Sequence, residues 1–247
     1  MLGPVLVSAA LAVMLGWRAL YAGMVVAALA LVWLRWRQPG VDHGRAEKPA
    51  GFAEGIRHAL RMLRQRRIWR WLVLLESADL MLDVFIGFIA LYFVDVARLS
   101  EAQAALAVGV WSAASLVGDA LIIPLLERVQ GLKYLRWSAL VTLALYVLFL
   151  AAPDATLKIA LLACVALTTS GWYTILQAQY YASLPGRSGI AMSISSASGA
   201  IAWTIPWALG MIAGRFGLPW AMALLALGPI SLMVGLPNQH VAHADIP

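Results

Sequence analysis

The sequence predicts an all-α membrane protein, and three observations carry that prediction. Of 247 residues, 62% are hydrophobic and only 12% charged, with a mean hydropathy of +0.82; a soluble domain is apolar in about half its residues. Apolar runs long enough to form helical spans recur along the chain, separated by short loops. One of these runs, IWRWLVLLESADLMLDVFIGFIALYFVDV at 68–96, holds Glu76, Asp79 and Asp83 in a stretch otherwise greasy enough to cross a bilayer.

The net charge of +6 does not point to nucleic acid. Ten of the eighteen Lys and Arg residues fall between Arg35 and Arg70, beside hydrophobic spans, which is the pattern of a juxtamembrane cytoplasmic loop. The single Cys164 excludes an intrachain disulfide. The four His residues lie in polar segments, and no Cys or His pair has ligand spacing inside a span, so neither zinc nor another cofactor is expected.

The apolar run at 2–16 measures about 22 Å as a helix, short of the roughly 30 Å of hydrocarbon, which reads as though something upstream were missing. A secretory signal is the alternative, but its basic n-region is absent: the first cation, Arg18, follows the run. A second span is expected at about 19–34, closed by Pro39-Gly40. Residues 1–37 form the first segment and 38–67 a hydrophilic linker. Within that linker Phe52, Ile56, Leu60 and Leu63 recur at helical spacing among arginines, as in a helix on an anionic surface or a solvated linker helix.

Further spans are expected at about 68–96, 103–126, 137–152, 158–183, 190–213 and 219–236, giving eight in all, with a tail at 237–247. With the central loop cytoplasmic, fourteen Lys and Arg lie on that side against four opposite, which places both termini inside the cell membrane's cytoplasmic face. An internal repeat relates residues 3–29 to 205–230, an offset of about six helices, as in transporters built from parallel repeats.

Several features together resemble the major facilitator superfamily from its fifth helix onward. They are Gly3-Pro4 followed by GWR at 16–18, the long basic loop before the acidic span, ERVQGLK at 127–133, and LPGRSGIAMSISSASGAIAWTIPWALG at 184–210. In ERVQGLK, the residues Glu127, Arg128, Gly131 and Lys133 are similar to the family's loop motif, with Leu132 where a second basic residue is usual. Val7 and Ser8 replace the two glycines of the antiporter-type motif. The resemblance implies a fold of about eight transmembrane helices, a six-helix C-terminal half at 68–236 preceded by a hairpin, with no counterpart to the family's first four helices. It implies a secondary transporter of a small organic solute, the expected partners being the lipid bilayer, the solute, protons and a second chain that supplies the remaining helices. The other reading is a truncated half-transporter without transport of its own.

At i, i+3 and i+7, Glu76, Asp79 and Asp83 fall within roughly 60° of one helix face. A carboxylate in hydrocarbon needs water, a partner or a proton. Crowding and poor solvation favour a proton on at least one of the three, which proton coupling requires. Acids on the corresponding helices are common in proton-coupled family members. The alternative is a structural role with neighbouring hydroxyl or backbone groups. Asp119 enters from the next span at a depth like that of Glu76, either to relay a proton or to latch onto Arg128 as a gate. Thr169, Tyr173 and Gln177, at successive i+4 steps, form a polar stripe for substrate contact or for helix association. Ser193, Ser195, Ser196, Ser198 and Gly199 read as close backbone packing, and Trp203 and Trp207 face either the cavity or the lipid. An intramembrane aspartyl protease would use two of Asp79, Asp83 and Asp119, but Leu116 stands where its GxGD pattern wants glycine, and no other catalytic motif is present. The acids lack any deep Lys or Arg, which favours cationic or neutral solutes.

Overall fold

The computed structural model describes residues 17–37, 65–184 and 188–237, and the chain divides into two compact units, 1–50 and 51–247. The first span at 2–16 and the linker helix lie outside the described residues. In the first unit, α1 (Trp17–Arg37) covers the second expected span.

In the second unit every described element is helical. The acid-bearing run forms α2 (Arg66–Asp79), a π turn (Leu80–Val84) and α3 (Phe85–Asp95). It is followed by α4 (Glu101–Arg128) and α5 (Gly131–Ala151). The remaining spans come as broken pairs: α6 (Ala155–Thr169) with α7 (Trp172–Ala182), α8 (Ser188–Ala202) with α9 (Thr204–Phe216), and α10 (Leu218–Leu224) with α11 (Leu227–Gly235). Among the described residues, Glu101–Arg128, Gly131–Ala151, Ala155–Ala182 and Leu218–Gly235 are long and apolar enough to cross a membrane. The chain is an all-α membrane protein.

Local chemistry sets the helix ends. Ser100 and Gln103 form a reciprocal cap at the start of α4. Asp154 accepts from Leu157 N–H at 2.8 Å to start α6. One face of α2–α3 supplies the core: Ala78, Met81, Phe85 and Ile89 are fully buried. The Phe85 ring meets Trp111 edge-on at 5.2 Å, Tyr146 at 5.4 Å and Phe149 at 5.9 Å, which ties α3 to α4 and α5. Tyr146 donates to Met222 O at 2.7 Å, bringing in α10.

The expected uninterrupted helix at 158–183 is broken at Ser170-Gly171, where Gly171 has φ 75° and a Cβ would strike Ile122. Side chains of α5 satisfy the opened backbone and its neighbours. Tyr134 donates to Ser170 O at 3.0 Å, Thr142 to the Thr168 hydroxyl at 2.8 Å, and Trp172 Nε1 to the Ser138 hydroxyl at 2.8 Å. α4 closes on the same break, since a Cβ at Gly118 would run into the Ser170 side chain and approach Leu167 Cα to 3.3 Å.

Gly118→Ala therefore lowers stability by about 1–3 kcal/mol through overpacking. Gly109→Ala, where the added carbon meets nothing within 4 Å, is neutral or stabilising. Thermal unfolding in detergent, followed by tryptophan fluorescence, checks both.

Candidate functional site

The three acids lie on the face of α2 and the π turn opposite the buried one. Glu76 and Asp79 are half-buried and Asp83 is exposed. Together they line a cavity of about 440 Å³ with Phe88, Trp203 and Pro206. A second cavity of about 360 Å³, reaching Trp69 at the start of α2, shares Glu76, Leu80, Ala202 and Ile205 with the first, so the two make one groove between α2–α3 and α8–α9. No Lys or Arg is among its described lining residues.

Across the groove Ser198 of α8 donates to Glu76 Oε1 at 2.7 Å. Asp79 and Asp83 make no hydrogen bond or ion pair with a described residue. The break between α8 and α9 leaves Trp203, 83% exposed, on the cavity wall. Gly199 adds no side chain to that wall, and a Cβ there would meet nothing within 4 Å. The result is an acid-lined space with apolar and aromatic surroundings, suited to a proton and an organic solute.

The other residues singled out by sequence fall elsewhere. The break at Ser170-Gly171 separates Thr169 from Tyr173, so the i+4 stripe does not run along one continuous helix. Thr169 is buried and donates to Val165 O and Ala166 O at 3.0 and 3.1 Å. Tyr173 is 37% exposed and lies within electrostatic reach of Asp79 and Glu76. Gln177 is half-buried on the same helix. Asp119 is exposed, lies outside the acid cavity, and makes no ion pair with Arg128 or any other described residue. Glu127, Arg128 and Lys133 are exposed, while a Cβ at Gly131 would come within 3.0 Å of Ile175, which explains a glycine where α5 begins against α7.

Two residues were missed. Ser198 was read only as a small packing residue, yet Ser198, Ala202 and Ile205 recur at helical spacing opposite the acids, a pattern that points to one shared face. Lys158, one of the four Lys and Arg counted on the side opposite the linker, is buried, donating to Tyr92 Oη at 2.8 Å and to Phe149 O at 2.8 Å.

A family model described as the Major Facilitator Superfamily matches residues 1–206. No curated protein and no solved structure matches the chain.

The bond between Ser198 and Glu76 has a measurable signature. A double-mutant cycle of Ser198→Ala and Glu76→Gln is expected to give a coupling of about 1–2 kcal/mol, read from denaturant unfolding in mixed micelles.

Proposed function

The chain belongs to the major facilitator superfamily, and from that premise we propose that it is a multi-pass, proton-coupled secondary transporter of a small organic solute. Asp83 is the proton carrier in this reading, with Asp79 and Glu76 beside it. The observation that carries it is the single groove in which all three carboxylates meet aromatic and apolar walls, with no basic residue among the described lining. Fixed acids that must shed or share their charge in low dielectric are the chemical requirement of proton coupling. They also favour cationic or neutral solutes over anions, since an isolated anion would meet like charge with no cation to offset it. Tyr173 joins the solute contacts from the acids' side of α7, with Gln177 further along it, whereas Thr169 contributes by packing.

The excess of Lys and Arg before α2 supports a cytoplasmic central linker and cytoplasmic termini in the cell membrane. In that orientation Arg128 and Lys133 flank a cytoplasmic loop where Glu127 and Gly131 act in gating, with Asp119 further along α4, and 68–236 is the solute-handling bundle. Helices of a partner chain are one source of a wall facing the groove.

The test is transport by the full chain in liposomes carrying an internal pH dye. Asp83→Asn is expected to abolish proton movement coupled to solute while solute exchange at equal pH persists. Proton-linked transport at the unaltered rate would remove Asp83 from this role.

A further inference from the structure

Arg98 is the one described residue other than glycine with a left-handed backbone, at φ 57°. A side chain there crowds its own backbone, and such positions ordinarily fall to glycine. The turn itself demands the conformation. Val96 N–H and Ala97 N–H both close onto Tyr92 O, at 3.0 and 3.1 Å, and Leu99 N–H reaches Phe93 O at 3.0 Å, folding the chain back over the end of α3. Glycine would make this turn without crowding, so the fold gains nothing from the guanidinium, which has no hydrogen bond or ion pair with a described residue.

The Arg98 side chain instead lines a further cavity of about 700 Å³. Asp95 stands on the same rim, and neither charge is neutralised by the other. Phe88 and Leu218 give apolar walls, and Gly210 and Gly214 leave the α9 backbone bare, since a Cβ on either would meet nothing within 4 Å. Phe88 also lines the acid cavity, so the two spaces adjoin across one ring. Along the helix, Asp95 is about 18 Å from Asp83, too far for one small solute to bridge both.

We infer that this cavity is a second solute site, selective for zwitterions: Arg98 holds an anionic group, Asp95 an ammonium, and the apolar body packs on Phe88 and Leu218. A guanidinium forks onto a carboxylate, and an ammonium beside Asp95 also meets the carbonyl end of α3. A pure cation would meet the charge of Arg98 and a pure anion that of Asp95, so only a molecule carrying both signs gains at both groups. The site is the outer station of the groove, from which the ammonium end passes toward the acids. This rests on the groove being the solute's route, as proposed above.

The experiment measures equilibrium binding by calorimetry on the full chain in dodecyl maltoside micelles, whose uncharged headgroup competes at neither charge. The probes are phenylalanine, its methyl ester as the cation and its N-acetyl derivative as the anion. Phenylalanine is expected to bind best, and Arg98→Gly to weaken it by about tenfold or more while leaving the cationic ester bound as well as before or more tightly, since the like charge is gone. The melting temperature of Arg98→Gly stays level or rises, because glycine relieves the backbone. Equal weakening of all three probes, unchanged phenylalanine binding, or no binding of any probe would overturn the assignment. So would binding that vanishes when phosphatidylethanolamine is added to the micelles, since the occupant would then be the lipid headgroup. Repeating the titration in Asp83→Asn separates the two readings: Arg98-dependent binding that survives there upholds this site even where proton-linked transport is absent.

Discussion

A carboxylate in a membrane must find water, a partner or a proton, and the arrangement of the second unit follows from meeting that demand three times on one helix. The acids occupy one face of α2–α3, while Ala78, Met81, Phe85 and Ile89 on the other are fully buried. The two faces exclude one another. A helix whose back is locked into an aromatic core must present its acids to the gap between itself and α8–α9, and that gap is the groove.

Cations hold the same helix at both ends. At its start Arg70 donates to Gly235 O at 2.6 Å, and Arg136 of α5 donates to Pro237 O at 3.1 Å, so two guanidinium groups gather the carbonyl end of the last helix. At the other end Lys158 holds Tyr92 of α3 and the last carbonyls of α5, its ammonium lying 5.1 Å from the Tyr92 ring centre and 5.2 Å from that of Phe149. A buried ammonium without a carboxylate is tolerable because hydroxyl, carbonyls and ring faces together replace its water.

Spans, turns and the acidic face were legible because they depend on composition and on a period of 3.6 residues. The breaks were not. Ser170-Gly171 in TTSGWYT is a breaker signal in itself, but the residues that satisfy the break, Tyr134, Thr142 and Ser138, lie about thirty residues away in sequence, and only the fold brings them to it. The burial of Lys158 was hidden for a related reason: at the edge of a span it has the sequence context of a solvated cation, and one of its partners, Tyr92, comes from a distant helix. Ser198 was half legible, since its period was visible but its partner was not. Tertiary partners decide such cases, and local pattern carries no information about them.

The π turn bears on why Asp79 and Asp83 remain unbonded. Leu80 O accepts from Phe85 N–H, a five-residue closure in place of four, at the level of Asp83. Directly behind it the last span is itself interrupted between Leu224 and Leu227, and there a Cβ on Gly228 would lie 2.9 Å from Ser77 O and 3.0 Å from Met81 Cγ. Two irregular backbones are thus pressed together where a glycine permits close approach. Backbone packing from behind, rather than bonds made by the acids, sets where Asp79 and Asp83 point. Glu76 spends an oxygen on Ser198 and joins α2 to α8, whereas Asp79 and Asp83 hold their place without such a partner among the described residues.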